Sequence, residues 1–218
     1  MKLVADNTIT ANNGQHVGED AAATQKSKEE KQRLKEKSMA YYYRDALIAA
    51  IDGSVKDKIA KSGVIIRDIT QQPNEKISNG EYFKKDPLLK KVVNIGDHSS
   101  YFAELYSFYV LLDQLLLESE LLQRSKSSPV KDEDKDNRRK VFVIWDSLSC
   151  ISKLQAGPPA SGAFESTFEL DLWKKFAQVS KLFCLEFIFT YSHLADENIC
   201  PWNAEVDNYI KTAAEKMS

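Results

Sequence analysis

The chain has almost no net charge of either sign: its formal balance is −2 over 218 residues. No global positive field draws in nucleic acid, so any such site must be a local basic patch. Cysteine is scarce and odd in number, at Cys150, Cys184 and Cys200. Widely spaced thiols of that number make neither a disulfide framework nor a zinc motif. Cys150 and Cys184 lie in apolar surroundings and read as small buried hydrophobes of a reducing compartment. No run approaches the ~20 apolar residues of a membrane span. The N-terminus has no apolar stretch of the secretory kind. These absences point to an intracellular protein, nuclear or cytoplasmic, not secreted and without a membrane partner. There is no internal repeat.

What is present suits one domain of ordinary size plus a tail, with 43% hydrophobic residues to fill a core. Residues 1 to about 24 are rich in Asn, Thr, Ala and Gly and read as disordered. The mixed charges of 25–38 read as a solvated helix or a linker. The expected division is a disordered or charged linker over 1–40 and a folded domain over 41–218.

Within the domain, DALIAAIDGSV reads as a strand that ends in a turn at Asp52-Gly53-Ser54. SGVIIRDIT and KKVVNIG read as two more strands, and three in succession imply an antiparallel meander. SSYFAELYSFYVLLDQLLLESELLQ has Leu, Phe and Tyr at helical spacing, with Ser99 or Ser100 as its cap. It should be a central helix packed on the sheet. Residues 124–140 form a charged insertion with seven Lys or Arg and four Asp or Glu. KVFVIWDS is apolar throughout, as expected of a strand buried on both faces. ISKLQ reads as a short helix, FESTFELDLWKKFAQVSKL as an amphipathic one and CLEFIFTYS as a strand. NAEVDNYIKTAAEKM closes the chain as a helix, with Asn203 as its cap. The expected order is β-β-β-α-β-α-α-β-α.

Four acids stand out against this order. Asp52 and Asp146 sit in or at the end of apolar, strand-like runs, and Glu104 and Asp207 near the start of helices. Alone, each has a plain reading as a turn residue, a helix-start acid or a cap. Together they are poor core material, because a buried ionised carboxylate must be paired or metal-bound. Four brought together repel one another unless a cation lies between them. The cation suited to oxygen donors is Mg²⁺ or Mn²⁺. The expected chemistry is metal-dependent phosphodiester hydrolysis.

With an acid at each of these places, the chain resembles type I ribonuclease H over about residues 43–216. The resemblance rests on five matches in order: Asp52-Gly53-Ser54, Ala103-Glu104-Leu105, Asp146-Ser147, His193 after the fifth strand, and Asn203-Ala204-Glu205-Val206-Asp207. It implies an α/β RNase H-like fold: a five-stranded mixed sheet, three antiparallel strands then two parallel, flanked by helices. It implies hydrolysis of the RNA strand of an RNA–DNA hybrid with two Mg²⁺ ions, Mn²⁺ being a substitute. Two metals ~3.5–4 Å apart activate the water and stabilise both oxygens of an in-line displacement. Asp52, Glu104, Asp146 and Asp207 would supply the ligands, with Asp52 bridging. His193 would shuttle a proton or assist product release, since imidazole titrates near neutral pH. Ser54, Ser147 and Asn79 are weaker choices for substrate contact. The looseness of the match and the charged leader suggest a retroelement-type domain that follows a reverse transcriptase.

The sequence departs from the family pattern in three places. The last motif has its acid displaced to Glu205, whose side should differ from that of Asn203 and Asp207. AGPPASGAFE, where some members carry a basic helix, has no basic residue. Binding charge would have to come from Lys84, Lys85, Lys90, Lys91, Lys174 and Lys175, or from a partner domain. The 124–140 insertion joins the far end of the fourth strand and should lie away from the metals. Proofreading exonucleases fit less well, because Ser54 stands where they place a glutamate. Integrases carry their glutamate on a late helix, and actin-like ATPases need two such domains. A competing reading is a catalytically weak or inactive module of the same fold that binds nucleic acid or protein.

Overall fold

The computed structural model describes residues 46–68, 86–123, 138–190 and 201–215. The leader, His193, Asn79, Lys84, Lys85 and most of the charged insertion lie outside them. Strands β1 (Ala46–Lys56), β2 (Ile59–Asp68), β3 (Leu89–Gly96), β4 (Arg139–Trp145) and β5 (Phe183–Phe189) form one sheet in the order β3-β2-β1-β4-β5. β1, β2 and β3 pair antiparallel. β4 runs parallel to β1, and β5 parallel to β4. This is the five-stranded mixed sheet that the resemblance implies. The helices are α1 (Ser100–Leu117), a short α2 (Ser119–Gln123), α3 (Leu148–Ala156), α4 (Thr167–Leu182) and α5 (Pro201–Glu215). Among the described residues the order is as expected, except that the long helix read over 99–123 breaks at Glu118 into α1 and α2.

Alternation along the strands divides the core in two. Leu47, Ala49 and Ile51 of β1 join Val141, Val143 and Trp145 of β4 in a large core with α1 and α4. Ile48 and Ala50 join Phe142 and Ile144 in a smaller core under Trp202, Val206 and Ile210 of α5. The sheet is therefore sandwiched between helical layers, and its central strands are apolar on both faces, as their sequences suggest. Trp202 packs α5, in line with expectation, and is 6% exposed.

Several boundaries differ from the sequence reading. Asp52-Gly53-Ser54 is not a turn: β1 continues through it to Lys56. The hairpin turns instead at Asp57 and Lys58, whose φ angles of 52° and 62° give the twist that two-residue hairpins favour. β4 begins at Arg139, one residue before the expected run and inside the supposed insertion. Arg139 is 3% exposed, pairs with Asp68 at 2.7 Å and donates to the Leu122 carbonyl at 2.5 Å. Arg138 donates to the Ser180 carbonyl. These two arginines belong to the body of the fold. α5 begins at Pro201, so Asn203 lies inside it and is not its cap. Proline suits a first helical turn, where its missing N–H has no intrahelical partner to lose. Ser99 is the cap of α1, its Oγ accepting from Phe102 N at 3.2 Å. His98 is exposed and stacks on Phe102. Cys150 and Cys184 are free thiols; Cys150 is buried, whereas Cys184 is only half-buried.

Candidate metal centre

The parallel register of β1 and β4 creates the site. Ala50 lies opposite Ile144, both on the α5 face. Two residues further on come Asp52, still inside β1, and Asp146, just past the end of β4, so period-2 alternation brings two acids side by side. Asp52 is 7% exposed, and Asp146 is half-buried just past β4.

Glu104 arrives from the other layer. Across the β1–β2 ladder, Gly53 is the partner of Ser62, and Asp52 that of Gly63. The Gly53–Ser62 pair faces α1 and forms its seat. A Cβ at Gly53 would lie 2.2 Å from the Glu104 nitrogen and 2.3 Å from the Ala103 carbonyl carbon. Ser62 Oγ, fully buried, donates to the Ala103 carbonyl at 2.7 Å. The missing side chain and the hydroxyl together bring the first turn of α1 onto the strand, with Glu104 beside Asp52. The Asp52–Gly63 pair faces α5, and a Cβ at Gly63 would meet the Ile210 side chain at 2.5 Å.

Asp52, Glu104 and Asp146 each offer an oxygen, and these atoms lie within 4.8 Å of one another. Burial, then the charges of Glu104, Asp146 and Asp207, push the Asp52 carboxyl well above its ordinary range, against the Gly53 amide. Burial and Asp146 push Glu104 up to about 8, against hydrogen bonds from the Trp145 indole, the Gly53 amide and Asp52. Such a cluster suits a hard divalent cation, because three carboxylate oxygens converge where negative charge is otherwise costly.

Asp207 is the outlying member. It lies on α5 near enough to raise Asp52, but its carboxylate binds Lys211 one turn on at 2.5 Å. Glu205 points elsewhere, as its place on the helix suggests. It pairs with Arg67 at 2.6 Å and with Lys90 at 3.1 Å. Ser54 is half-buried at the end of β1 beyond Asp52. Ser147 holds the cap position of α3 without a side-chain cap bond, its Oγ 3.4 Å from that of Ser149.

Among the described lysines, two of the four expected to supply binding charge are engaged in internal ion pairs. Lys90 is tied to Glu205 and lies over the Tyr209 ring, and Lys175 is tied to Asp113 at 2.6 Å. Lys91 and Lys174 are exposed.

Sequence reasoning placed Trp145 in the core and missed its polar role. The indole is fully buried, and its Nε1 donates to Glu104 Oε2 at 2.7 Å. The one available signal was its position next to Asp146, because neighbours on a strand face opposite layers.

No family model matches the chain, and no curated protein matches it. Among solved structures it is similar to LC11-RNase H1, isolated from compost by a metagenomic approach. That likeness is 17% identical, covers 79% of this chain and 98% of that one, and has a TM-score of 0.47. It is also similar to the N-terminal RNase H domain of Rv2228c from Mycobacterium tuberculosis, solved as a fusion with maltose binding protein. There the identity is 12%, the coverage 80% and 99%, and the TM-score 0.44. Among the described residues, no helix is long and apolar enough to cross a membrane.

Proposed function

We propose that residues 41–218 form a ribonuclease H-type nuclease domain that hydrolyses the RNA strand of RNA–DNA hybrids with divalent cations. The observation that carries this reading is the convergence of Asp52, Glu104 and Asp146 within 4.8 Å, where β1 passes the carboxyl end of β4. Asp52, between Glu104 and Asp146, would bridge two Mg²⁺ ions, or Mn²⁺ in their place. Asp207 would complete the set after exchanging Lys211 for a cation. Cations bound there activate a water and neutralise charge on a phosphodiester. The chain's own part is to hold these oxygens in place before substrate arrives. His193, outside the described residues, would move a proton at the edge of the site. Ser54 and Ser147 flank the acids and would touch the sugar–phosphate backbone. Hybrids are read through shape, phosphates and 2′-hydroxyls, so little sequence preference is expected. The charged 25–38 leader supports a retroelement-type domain that follows a reverse transcriptase.

A second reading is a binding module of the same fold with little activity. It is favoured by the engagement of Lys90, Lys175 and Asp207 in internal ion pairs. End-labelled hybrid with Mg²⁺ or Mn²⁺, cut by the wild type and at least about a hundredfold more slowly by Asp146→Asn, is the outcome expected of the enzyme. Binding without cleavage by either protein sinks the enzymatic reading. Equal cleavage of single-stranded RNA points to another nuclease class.

A further inference from the structure

Trp145 and Asp146 are consecutive, yet they serve opposite faces of the sheet. Asp146 offers a carboxylate on the α5 side, while Trp145 enters the core under α1. The indole is held on several sides. It is fully buried and stacks on Phe108, one helical turn beyond Glu104, with centroids 5.8 Å apart and planes 19° apart. Its own carbonyl accepts from Thr190 N at 2.9 Å, which fixes the end of β4 to the end of β5. A ring held this way aims its N–H in one direction.

That direction is Glu104 Oε2, at 2.7 Å. An indole has one donor and no acceptor, so it cannot itself bind a cation. It can hold one carboxylate oxygen and thereby set the orientation of the group. We propose that Trp145 is a positioning residue for the cation site: its N–H holds Glu104 Oε2 and so fixes the orientation in which this carboxylate meets the ion. The inference rests on the metal reading of the Asp52–Glu104–Asp146 cluster. Groups that orient a ligand in this way are typically worth about 10–100-fold in metal affinity.

The plain alternative is that Glu104 merely satisfies a buried indole N–H. The two separate on the full chain. Mn²⁺ affinity is measured by calorimetric titration for the wild type and Trp145→Phe, which keeps a ring in the core and removes the donor. At least tenfold weaker binding by a folded Trp145→Phe is expected. In parallel, ¹⁵N–¹H spectra follow the indole signals as Mg²⁺ is added. The Trp145 signal should move saturably. That of Trp173, whose buried Nε1 has no hydrogen-bond partner, should stay in place.

Equal Mn²⁺ affinity in the two proteins overturns the proposal and leaves the metal site standing. A Trp145 signal that ignores Mg²⁺ while the ion measurably binds overturns it as well, and decides the matter if Trp145→Phe does not fold. Absence of any cation binding by the wild type removes the metal reading itself, and the proposal with it.

Discussion

Two carboxylates two residues apart on α5 meet opposite surroundings. Glu205 faces Arg67 and Lys90 across β2 and β3. Burial works to raise its carboxyl, but the two cations outweigh it and hold it below its ordinary value. Asp207 pairs with Lys211 of its own helix and adds the smallest of three like charges that act on the buried Asp52. The same helix thus carries an acid bound to the sheet and an acid bound within the helix that adds to the crowd around Asp52. The sheet-bound acid fastens α5 to the sheet, so the crowded end can keep its repulsion without the helix leaving. Stability and proposed function are divided between two sides of one helical turn.

Breaking the sheet-bound side should have the largest effect on folding. Arg67→Met removes both guanidinium bonds to Glu205 and leaves it with Lys90 alone, and removal of one partner of a largely buried pair costs about 3 kcal/mol. For a domain of this size that lowers the melting temperature by about 6–12 °C. The double variant Arg67→Met/Glu205→Leu should recover most of the loss, since an apolar pair is a fair substitute for an ionic one. A double variant no more stable than the single would show that the pair does not fasten α5.

Gly53→Ala should cost about 1–3 kcal/mol, because its new methyl group meets helix backbone that cannot move alone. The same change should weaken Mn²⁺ binding by shifting Glu104. Gly63→Ala meets the flexible Ile210 side chain and should cost less. Chemical denaturation of both variants checks the ranking.

The test that sharpens the comparison most is the pH dependence of the cation-free protein. Asp52 and Glu104 have folded pKa values above their unfolded ones, so the folded state binds more protons. Their contribution is fully present below about pH 4.5 and is lost as pH rises toward about 8, the value for Glu104. Glu205 runs the other way: its contribution is present above its ordinary value of 4.5 and fades in acid. In EDTA the melting temperature should fall between pH 5 and pH 8, and Glu104→Gln should flatten that fall. Adding Mg²⁺ at a hundred times its Kd should restore about 5–10 °C at pH 8 and less at pH 5. A melting temperature that rises with pH in EDTA over this range would contradict the crowded-acid account.

Much of this was legible in the sequence because it follows from local pattern. Apolar runs marked β1 and β4, and the spacing of Leu and Phe marked α1. Asp52, Glu104 and Asp146 stood out as acids at the ends of such segments, and the fold brings them together. What escaped depends on partners distant in the chain. Asp52-Gly53-Ser54 looks like a turn because glycine and serine favour turns. Gly53 is there because a helix backbone some fifty residues later lies so close that any Cβ would come within 2.2 Å of it. The Glu205–Arg67 pair spans 138 residues, and no local pattern announces it. Trp145 reads as core by hydrophobicity, and only the packing of α1 reveals what its N–H meets.

The alternation of Trp145 and Asp146 also bears on how faithfully the chain folds. A slip of β4 by one residue would exchange the faces of all its side chains. The indole would stand at the mouth of the site and the carboxylate would be pressed into hydrocarbon under α1. If the acids bind a cation as proposed, a mispaired sheet would lack that cage, and a divalent ion present during refolding would reward one register alone. Ion binding would then also be a check on assembly, made at the strand end where an error would do most harm.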